Sequence, residues 1–515
     1  MHSEVSWKNG AIWLTATAAL LIALMTACTR VNSGPDFRQA DDLLRKHTQA
    51  DQAYDPDADA VIEERVHELL KDGVSFDEAV QVALLNNRGF QALFSTIGAS
   101  RADVVQSSLL SNPSMGFSAR FPEGGGRSDL TINFAQELVD LWQIPVRRRI
   151  AEAQLEATVL DVARRGIELA TDVHRNYYQL ESLERAEKIA KENLEIVEQS
   201  IRLTEVRVKA GEAREIDVNL LRANELDVQA SLLAISRDRD VARADLGKLL
   251  GLARWEQPWE IKNAIEPTVT TISDDRTLIV FAMQERLETS IAGAKVRAAD
   301  GELRRQYLNV FSHVSLGIDG ERKELRAFPG RKILADTARA SVRQGKLTAP
   351  DIQTRGERNI AKRQIIDSIV GPSVQITLPI WDQNQAQIAK ANSRVDQTRK
   401  EYEDLLDEVA RQVQRTTAVV RASAALIQFY EKRGVPVAQE NLELVRKAYE
   451  SGEQSIVAVY EAQKILIALR LAAVNVRRDY LVAMVELQGA LGGRGPPSTT
   501  TAPAATQPVE SGDDR

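Results

Sequence analysis

The sequence predicts a mainly α-helical chain with a transmembrane β part. Each chain would hold four strands and long coiled-coil helical hairpins, with three copies closing a 12-stranded β-barrel on an α-helical barrel. Three observations predict this. Stretches of alternating polarity are followed by helical runs far longer than a globular domain uses. The strand-and-helix unit is written twice, its glycine breaks and helical seam at one common offset. Beyond residues 11–27, no segment has the ~20 consecutive apolar residues of a spanning helix, so any further crossing of a membrane falls to strands.

Composition narrows the possibilities. Only 5% of the 515 residues are aromatic while 27% are charged, a balance of long helices and coiled coils. The 66 basic and 73 acidic residues give a net charge of −7, and no basic stripe with interleaved aromatics offers a nucleic-acid surface. A single cysteine, Cys28, excludes an internal disulfide. The five histidines (His2, His47, His67, His174, His313) lack ligand spacing, and His174 reads as a helix-surface residue. With no nucleophile elbow, phosphate loop or zinc motif, neither a metal, a cofactor nor enzyme activity is expected.

The chain opens on an uncharged run, Ala11 to Ala27, after Lys8. A short apolar run after a basic residue and ending in small residues is a secretion signal. Met25-Thr26-Ala27-Cys28 resembles the bacterial lipobox, in which the cysteine is lipidated and becomes residue one. Residues 1–27 therefore read as a lipoprotein signal peptide and Cys28 as the lipidation site. Thr29 rather than Asp follows it, which is compatible with the outer membrane. Residues 28–74 are polar and read as an N-terminal arm with a short helix.

The first repeat spans 75–252. Ser75 with Glu78 three residues on is a capping box opening a helical region that stops at Asn112-Pro113. Met115, Phe117, Ala119 and Phe121 then alternate with Ser114, Gly116, Ser118 and Arg120. Gly124-Gly125-Gly126 turns the chain, and Leu130, Ile132 and Phe134 alternate in a second strand. From Arg147 to Ala210 there is no proline and one glycine, Gly166. A helix of about 60 residues would be ~90 Å long. Gly211 interrupts it, and a second arm runs to Leu250, ending at Gly251.

The second repeat, 253–493, follows the same order. A helical stretch ends near Leu308. Strands are expected at Val314, Leu316, Ile318 and at Val374, Ile376, Leu378, Ile380. A helix without Gly or Pro follows from Trp381 to Arg433, Gly434-Val435-Pro436 breaks it, Gly452 turns it, and the last helix ends at Gly492. Residues 320–369 form a charged inserted loop with no counterpart in the first repeat, and 494–515 a disordered tail.

The duplication is arithmetical. Gly211 to Gly251 and Gly452 to Gly492 both span 40 residues, an offset of 241. The three-four stripe Val218, Leu221, Glu225, Val228, Leu232, Ile235, Arg239, Ala242, Leu246, Leu249 maps onto Val459, Ala462, Leu466, Leu469, Ala473, Val476, Tyr480, Ala483, Leu487, Ala490. That is a coiled-coil seam kept in register across a repeat. Four strands cannot close a barrel and lipid tolerates no open edge, so closure needs several copies; three give a width that admits solutes.

Residues Ser75 to Gly493 resemble the TolC-like outer-membrane efflux family, specifically its lipoprotein branch. The resemblance is carried by Ala83-Leu84-Leu85-Asn86-Asn87, Ser111-Asn112-Pro113, Leu378-Pro379-Ile380-Trp381-Asp382, Arg207 to Gly211 and Tyr449-Glu450-Ser451-Gly452, with Leu491-Gly492 closing the second copy. It implies a homotrimer in the outer membrane, lipid-anchored, whose periplasmic helical tip docks onto an adaptor (membrane fusion) protein of an inner-membrane pump. Gly211 and Gly452 would be the hairpin tips, with Glu212 and Glu453 facing the adaptor; the family often has apolar residues there. Carboxylates six and nine residues past the second tip glycine can ring the entrance in the family. Here these positions are Ala458 and Glu461, and Asp217 lies six past the first glycine, so Glu461 and Asp217 are the gate candidates. Trp142, Trp381 and Phe121 are candidates for the membrane interface. The function implied is a passive exit duct for small solutes. A type I protein-secretion duct shares the architecture, and a structural coiled-coil periplasmic lipoprotein is the reading from a different class.

Overall fold

A computed structural model describes residues 31–48, 50–51, 54, 59–121, 128–252, 259–262, 269, 272–324, 342–343, 345 and 366–495. Residues 1–27 with Cys28, the Gly124–Gly126 turn, most of the 320–369 loop and residues 496–515 lie outside the described residues.

Helices α1 (Gly34–Thr48), α2 (Asp59–Leu70), α3 (Phe76–Asn86) and α4 (Arg88–Ser107) lead into strands β1 (Ser114–Arg120) and β2 (Asp129–Glu137). Then come α5 (Asp140–Lys209), α6 (Glu215–Leu249), α7 (Asp275–Glu285) and α8 (Leu287–Leu308). Strands β3 (Val314–Glu324) and β4 (Ile366–Ile376) follow. The chain continues through α9 (Gln385–Phe429), a π turn (Tyr430–Gly434), α10 (Val435–Glu450) and α11 (Ile456–Ala490). It divides into two compact units. One comprises Val104–Glu152 with Ala298–Asp396, the other Met1–Asp103, Ala153–Arg297 and Gln397–Arg515.

The first unit holds a four-stranded antiparallel sheet in the order β1-β2-β3-β4. Its outer edges, one side of β1 and one of β4, carry no pairing among the described residues. The register fixes two unlike faces. Phe117 pairs with Ile132, Met115 with Phe134, Phe134 with Ile318, and Leu316 with Val374, so these side chains share one face. The other carries Ser114, Gly116, Asn133, Asp319 and Ser373. Where β2 enters α5, buried Asp140 accepts the Ser111 N–H at 2.6 Å and Arg147 at 2.7 Å. Burial raises the pKa of such a carboxyl, but the Ser111 and Arg147 partners outweigh it and hold Asp140 below its ordinary value. This explains the Ser111-Asn112-Pro113 signature: it ties the strand entry to the helix start.

The second strand of the later hairpin differs from expectation. The alternation runs on to Ile380, but pairing ends at Ile376 with a last rung from Thr377 N–H to the His313 carbonyl, 3.0 Å. Pro379 has no N–H to extend the ladder. At the other end the ladder reaches Glu324 paired with Ile366, so it takes in both ends of the expected charged loop. After the strand, Asn384 sits at φ 63°. Its amide donates to the Gln306 carbonyl at 2.7 Å, an arrangement Asn tolerates better than most residues.

In the second unit each seam is buried in part, its remaining positions being half-buried. Val218, Leu221, Val228, Ala242 and Leu246 are buried on α6, and Ala462, Leu466, Tyr480, Ala483, Leu487 and Ala490 on α11. The Ser75–Glu78 capping box forms in full. The arm holds two helices rather than one. Proline did not delay α5, which starts before the proline-free run and carries Pro145 near its beginning. His174 does not stand on a solvated surface: its ring stacks on Phe76 at 3.7 Å and 10°.

All four hairpin glycines end their helices in the same way. The residue after the glycine donates back to a carbonyl five residues earlier, as in Glu212 to Arg207, Leu252 to Gly247, Glu453 to Ala448 and Gly493 to Gln488. This is the Schellman cap, and it needs the positive φ found at Gly211, Gly251, Gly452 and Gly492. Their surroundings differ. A Cβ on Gly211 or Gly452 meets nothing within 4 Å, whereas one on Gly251 falls 2.4 Å from the Asn86 carbonyl oxygen. The Asn86-Asn87 pair explains this approach: the two side-chain amides donate to the carbonyls of Leu250 and Leu249 at 3.0 and 2.9 Å. Gly211→Ala is therefore expected to cost about 1 kcal/mol from backbone strain alone. Gly251→Ala adds a backbone clash and should cost at least twice as much, on the order of 2–4 kcal/mol, read as the unfolding midpoints of the two variants.

Candidate functional site

Two surfaces carry the functional candidates, one in each unit. In the sheet unit the apolar face is bare: Met115, Phe117, Ile132, Phe134, Leu316, Ile318, Val370, Val374 and Ile376 are all exposed. An exposed, continuous apolar face backed by a Ser-, Gly- and Asn-rich one is the dyad of a lipid-facing strand with a polar interior side. Phe121 follows β1 with 81% of its surface free, and Trp381 follows β4 with 87% free. Trp142, which like Trp381 comes just after the second strand of its hairpin, is half-buried in α5, and its neighbour Leu141 is the exposed one. Tyr307 and Phe311 are also exposed near the sheet and gave no sequence signal, because they follow neither period.

In the helical unit the hairpin turns at Gly211 and Gly452 stand open. Behind them the two hairpins share a core of Val197, Ile201, Leu221, Val228 and Ile456, with Tyr449 and Val459 against it. Arg207 ties the tips together. Its guanidinium lies 4.7 Å from the centre of the Tyr449 ring and 3.5 Å from the Glu212 carboxylate. A cation over an aromatic face with a carboxylate beside it is a partly desolvated link between the hairpins. Glu453 is exposed in the second turn.

The two gate candidates are differently placed. Asp217 is the fourth member of a helix start: its carboxylate accepts the Arg214 N–H at 3.1 Å and sits 3.4 Å from the Arg214 guanidinium. It therefore stabilises the start of α6 in its own right. Glu461 is exposed on α11 and has no ion pair among the described residues. No bond joins Asp217 to Glu461 within the chain. Among the described residues no group of His, Cys, Asp and Glu could hold a metal, and no helix is long and apolar enough to cross a membrane.

A sequence model of the family described as outer membrane efflux protein matches residues 79–252 and 328–493. The chain belongs to that family. This outer membrane efflux protein also shares its fold with solved channels. The CusC structures, described as showing transmembrane channel formation, align at TM-score 0.62 and 17% identity over 81% of this chain and 92% of theirs. The outer membrane protein VceC from Vibrio cholerae aligns at 0.60 and 16% over 81% and 96%. The CmeC outer membrane channel of Campylobacter jejuni aligns at 0.61 and 15% over 81% and 85%. No curated protein matches the sequence. Membership makes this efflux protein an outer-membrane channel component and not an enzyme, in agreement with the resemblance and fold class expected from sequence.

Proposed function

We propose that the chain is one third of a homotrimeric exit duct of a tripartite efflux system, carrying small solutes outward from the periplasm or from an inner-membrane pump. The observation that carries the reading is the two-faced sheet with unpaired edges. Neither water nor lipid suits it alone, and pairing β4 of one copy with β1 of the next satisfies both edges and both faces. The helices support the same closure. Exposed apolar residues recur seven apart outside the intrachain seams: Ile196 and Leu203, Leu226 and Leu233, Val419 and Leu426, Val437 and Leu444. Such heptad spacing fits a further coiled-coil seam against a second copy. In this reading Cys28 carries the lipid anchor, Phe121 and Trp381 sit at the membrane interface, and Gly211, Glu212, Gly452 and Glu453 meet the adaptor. Glu461 forms the principal carboxylate ring of the entrance, and Asp217 serves chiefly as a helix cap.

The test is the purified full-length protein in planar bilayers. A heat-modifiable trimer with discrete, cation-preferring conductance is expected, and Glu461→Ala should lower the cation-to-anion permeability ratio severalfold. A monomer without conductance would sink the channel reading, and unchanged selectivity in the variant would remove Glu461 from the gate. Passage of a polypeptide cargo in place of small solutes would replace efflux by protein secretion.

A further inference from the structure

Strands β3 and β4 are each 11 residues long. At about 3.3 Å per residue and a tilt near 40°, such strands cross roughly 25–28 Å, the whole apolar band of a barrel in lipid. Whatever follows at the base of the sheet, where the chain passes into α5, α8 and α9, then lies at the depth of the headgroups, a layer about 5–8 Å thick.

The residues at that level fall into two tiers. The upper tier is apolar and open. Leu141 at the start of α5, Tyr307 near the end of α8, Phe311 just past it, and Ile380 and Trp381 ahead of α9 are all exposed. The lower tier is cationic. Arg149 lies nine residues into α5, Arg304 four before the end of α8 and Lys390 five into α9. These steps are roughly 14, 6 and 8 Å along the helices from the ends next to the sheet. All three side chains are exposed, and none has an ion pair among the described residues. The cations beside them are engaged: Arg147 pairs with Asp140 at 2.7 Å, Arg148 with Glu152 at 2.8 Å and Arg305 with Glu302 at 2.8 Å. Basic residues outnumber acidic ones across residues 138–152, 298–311 and 378–394.

On two helices the tiers share a side. Leu141, Pro145 and Arg149 follow at intervals of four along α5 and are all exposed, and Arg304 and Tyr307 stand three apart on α8. Bare Leu, Tyr, Phe and Trp side chains do not suit the wall of a water-filled duct. They suit lipid, in continuity with the apolar face of the sheet. A Lys or Arg just beyond the hydrocarbon lays its stem along apolar surface and sets its charge among phosphates. The succession of apolar sheet, aromatic tier and cationic tier is that of acyl chain, glycerol and phosphate in a leaflet.

We propose that Arg149, Arg304 and Lys390 form a cationic collar at the base of the barrel that binds the phosphate groups of anionic glycerophospholipids. The collar rests on the reading of the sheet as one share of an outer-membrane barrel. In that reading the base is the periplasmic end, from which the long helices leave, and the leaflet it meets is the inner one. Attraction of this kind grows charge by charge and is screened by salt.

The experiment takes purified full-length protein in detergent, incubates it with mixed micelles holding equal amounts of phosphatidylglycerol and phosphatidylethanolamine, and re-isolates it. Bound phosphatidylglycerol should exceed the offered ratio about threefold or more, and the excess should vanish as salt rises from about 0.05 to 0.5 M. The variant Arg149→Gln, Arg304→Gln, Lys390→Gln should bind both lipids as offered. The variant Lys188→Gln, Lys209→Gln, Lys447→Gln removes the same charge from exposed positions of the helical unit, and should keep the wild-type preference. No preference in the wild type, an undiminished one in the collar variant, or equal loss in both variants would overturn the collar. Retention of lipid A in place of phosphatidylglycerol, when the two are offered together, would assign the surface to the outer leaflet and overturn it as well. If the collar variant fails to assemble, its three single substitutions carry the test, each expected to lose part of the preference. The heat-modifiable trimer is followed in the same samples. A trimer without lipid preference removes the collar alone; a wild type that stays monomeric counts against the channel reading, and the lipid ratio still decides the collar.

Discussion

Replacing Ile318 by arginine should abolish assembly in the membrane. Ile318 lies near the middle of β3, flanked across the sheet by Phe134 and Pro372, on the exposed apolar face. An arginine on the lipid face near the middle of a barrel strand costs roughly 2–4 kcal/mol. A trimer carries the change three times, so the assembly loses on the order of 6–12 kcal/mol, comparable to the stability of a whole domain. The heat-modifiable trimer should disappear from membranes. Asp319→Arg, one residue along and on the opposite face, supplies the control. It should keep the trimer, with stability changed by about 0.5 kcal/mol or less, and alter only ion selectivity. Equal loss in both variants would show that the two faces do not see different solvents.

Acid should destabilise the helical unit through His174. Burial lowers its pKa from the ordinary 6.5 to about 3. Its ring lies flat on Phe76, and Nε2 is buried without a partner. The folded pKa lies below the unfolded one, so the unfolded chain binds a proton that the folded chain refuses. Stability is therefore intact above pH 6.5, falls as the pH drops toward 3, and levels off below. Each unit in this window costs about 1.4 kcal/mol, hence about 2 kcal/mol per chain at pH 5. The melting temperature should drop between pH 7 and pH 5. His174→Phe, which keeps the stack without the proton, should lose most of that drop; an unchanged pH profile would show that His174 is not the sensor.

Much of this architecture was legible because the relevant signals are short in range. Alternation in β1 to β3 reports two faces in different solvents. The three-four seam reports packing inside each hairpin, and glycines at Gly211, Gly251, Gly452 and Gly492 report positive φ. What escaped was set by distant partners. The bends after Asn86 and Glu285 contain no glycine or proline; at the first, the Asn87 side chain caps the end of α6 and the start of α4 together. The end of β4 was misplaced because polarity still alternates across Pro379, and only the missing donor stops the ladder. Trp142 and Trp381 each come just after a second strand yet differ in exposure, which depends on what packs over each. The Arg207–Tyr449 link joins residues from separate hairpins and leaves no local trace. Asp217 was legible as a carboxylate but not as a helix cap, because the cap is an arginine, Arg214, rather than a Ser, Thr, Asp or Asn.

The unpaired edges of the sheet also bear on inheritance. In the proposed assembly each chain offers its β1 to one neighbour and its β4 to the other, so every junction depends on two gene products. A chain with one ruined edge and one intact edge would still recruit a healthy partner and then leave the ring open. Edge mutations should therefore be dominant in cells that also carry the normal gene. Losing the chain altogether should be recessive.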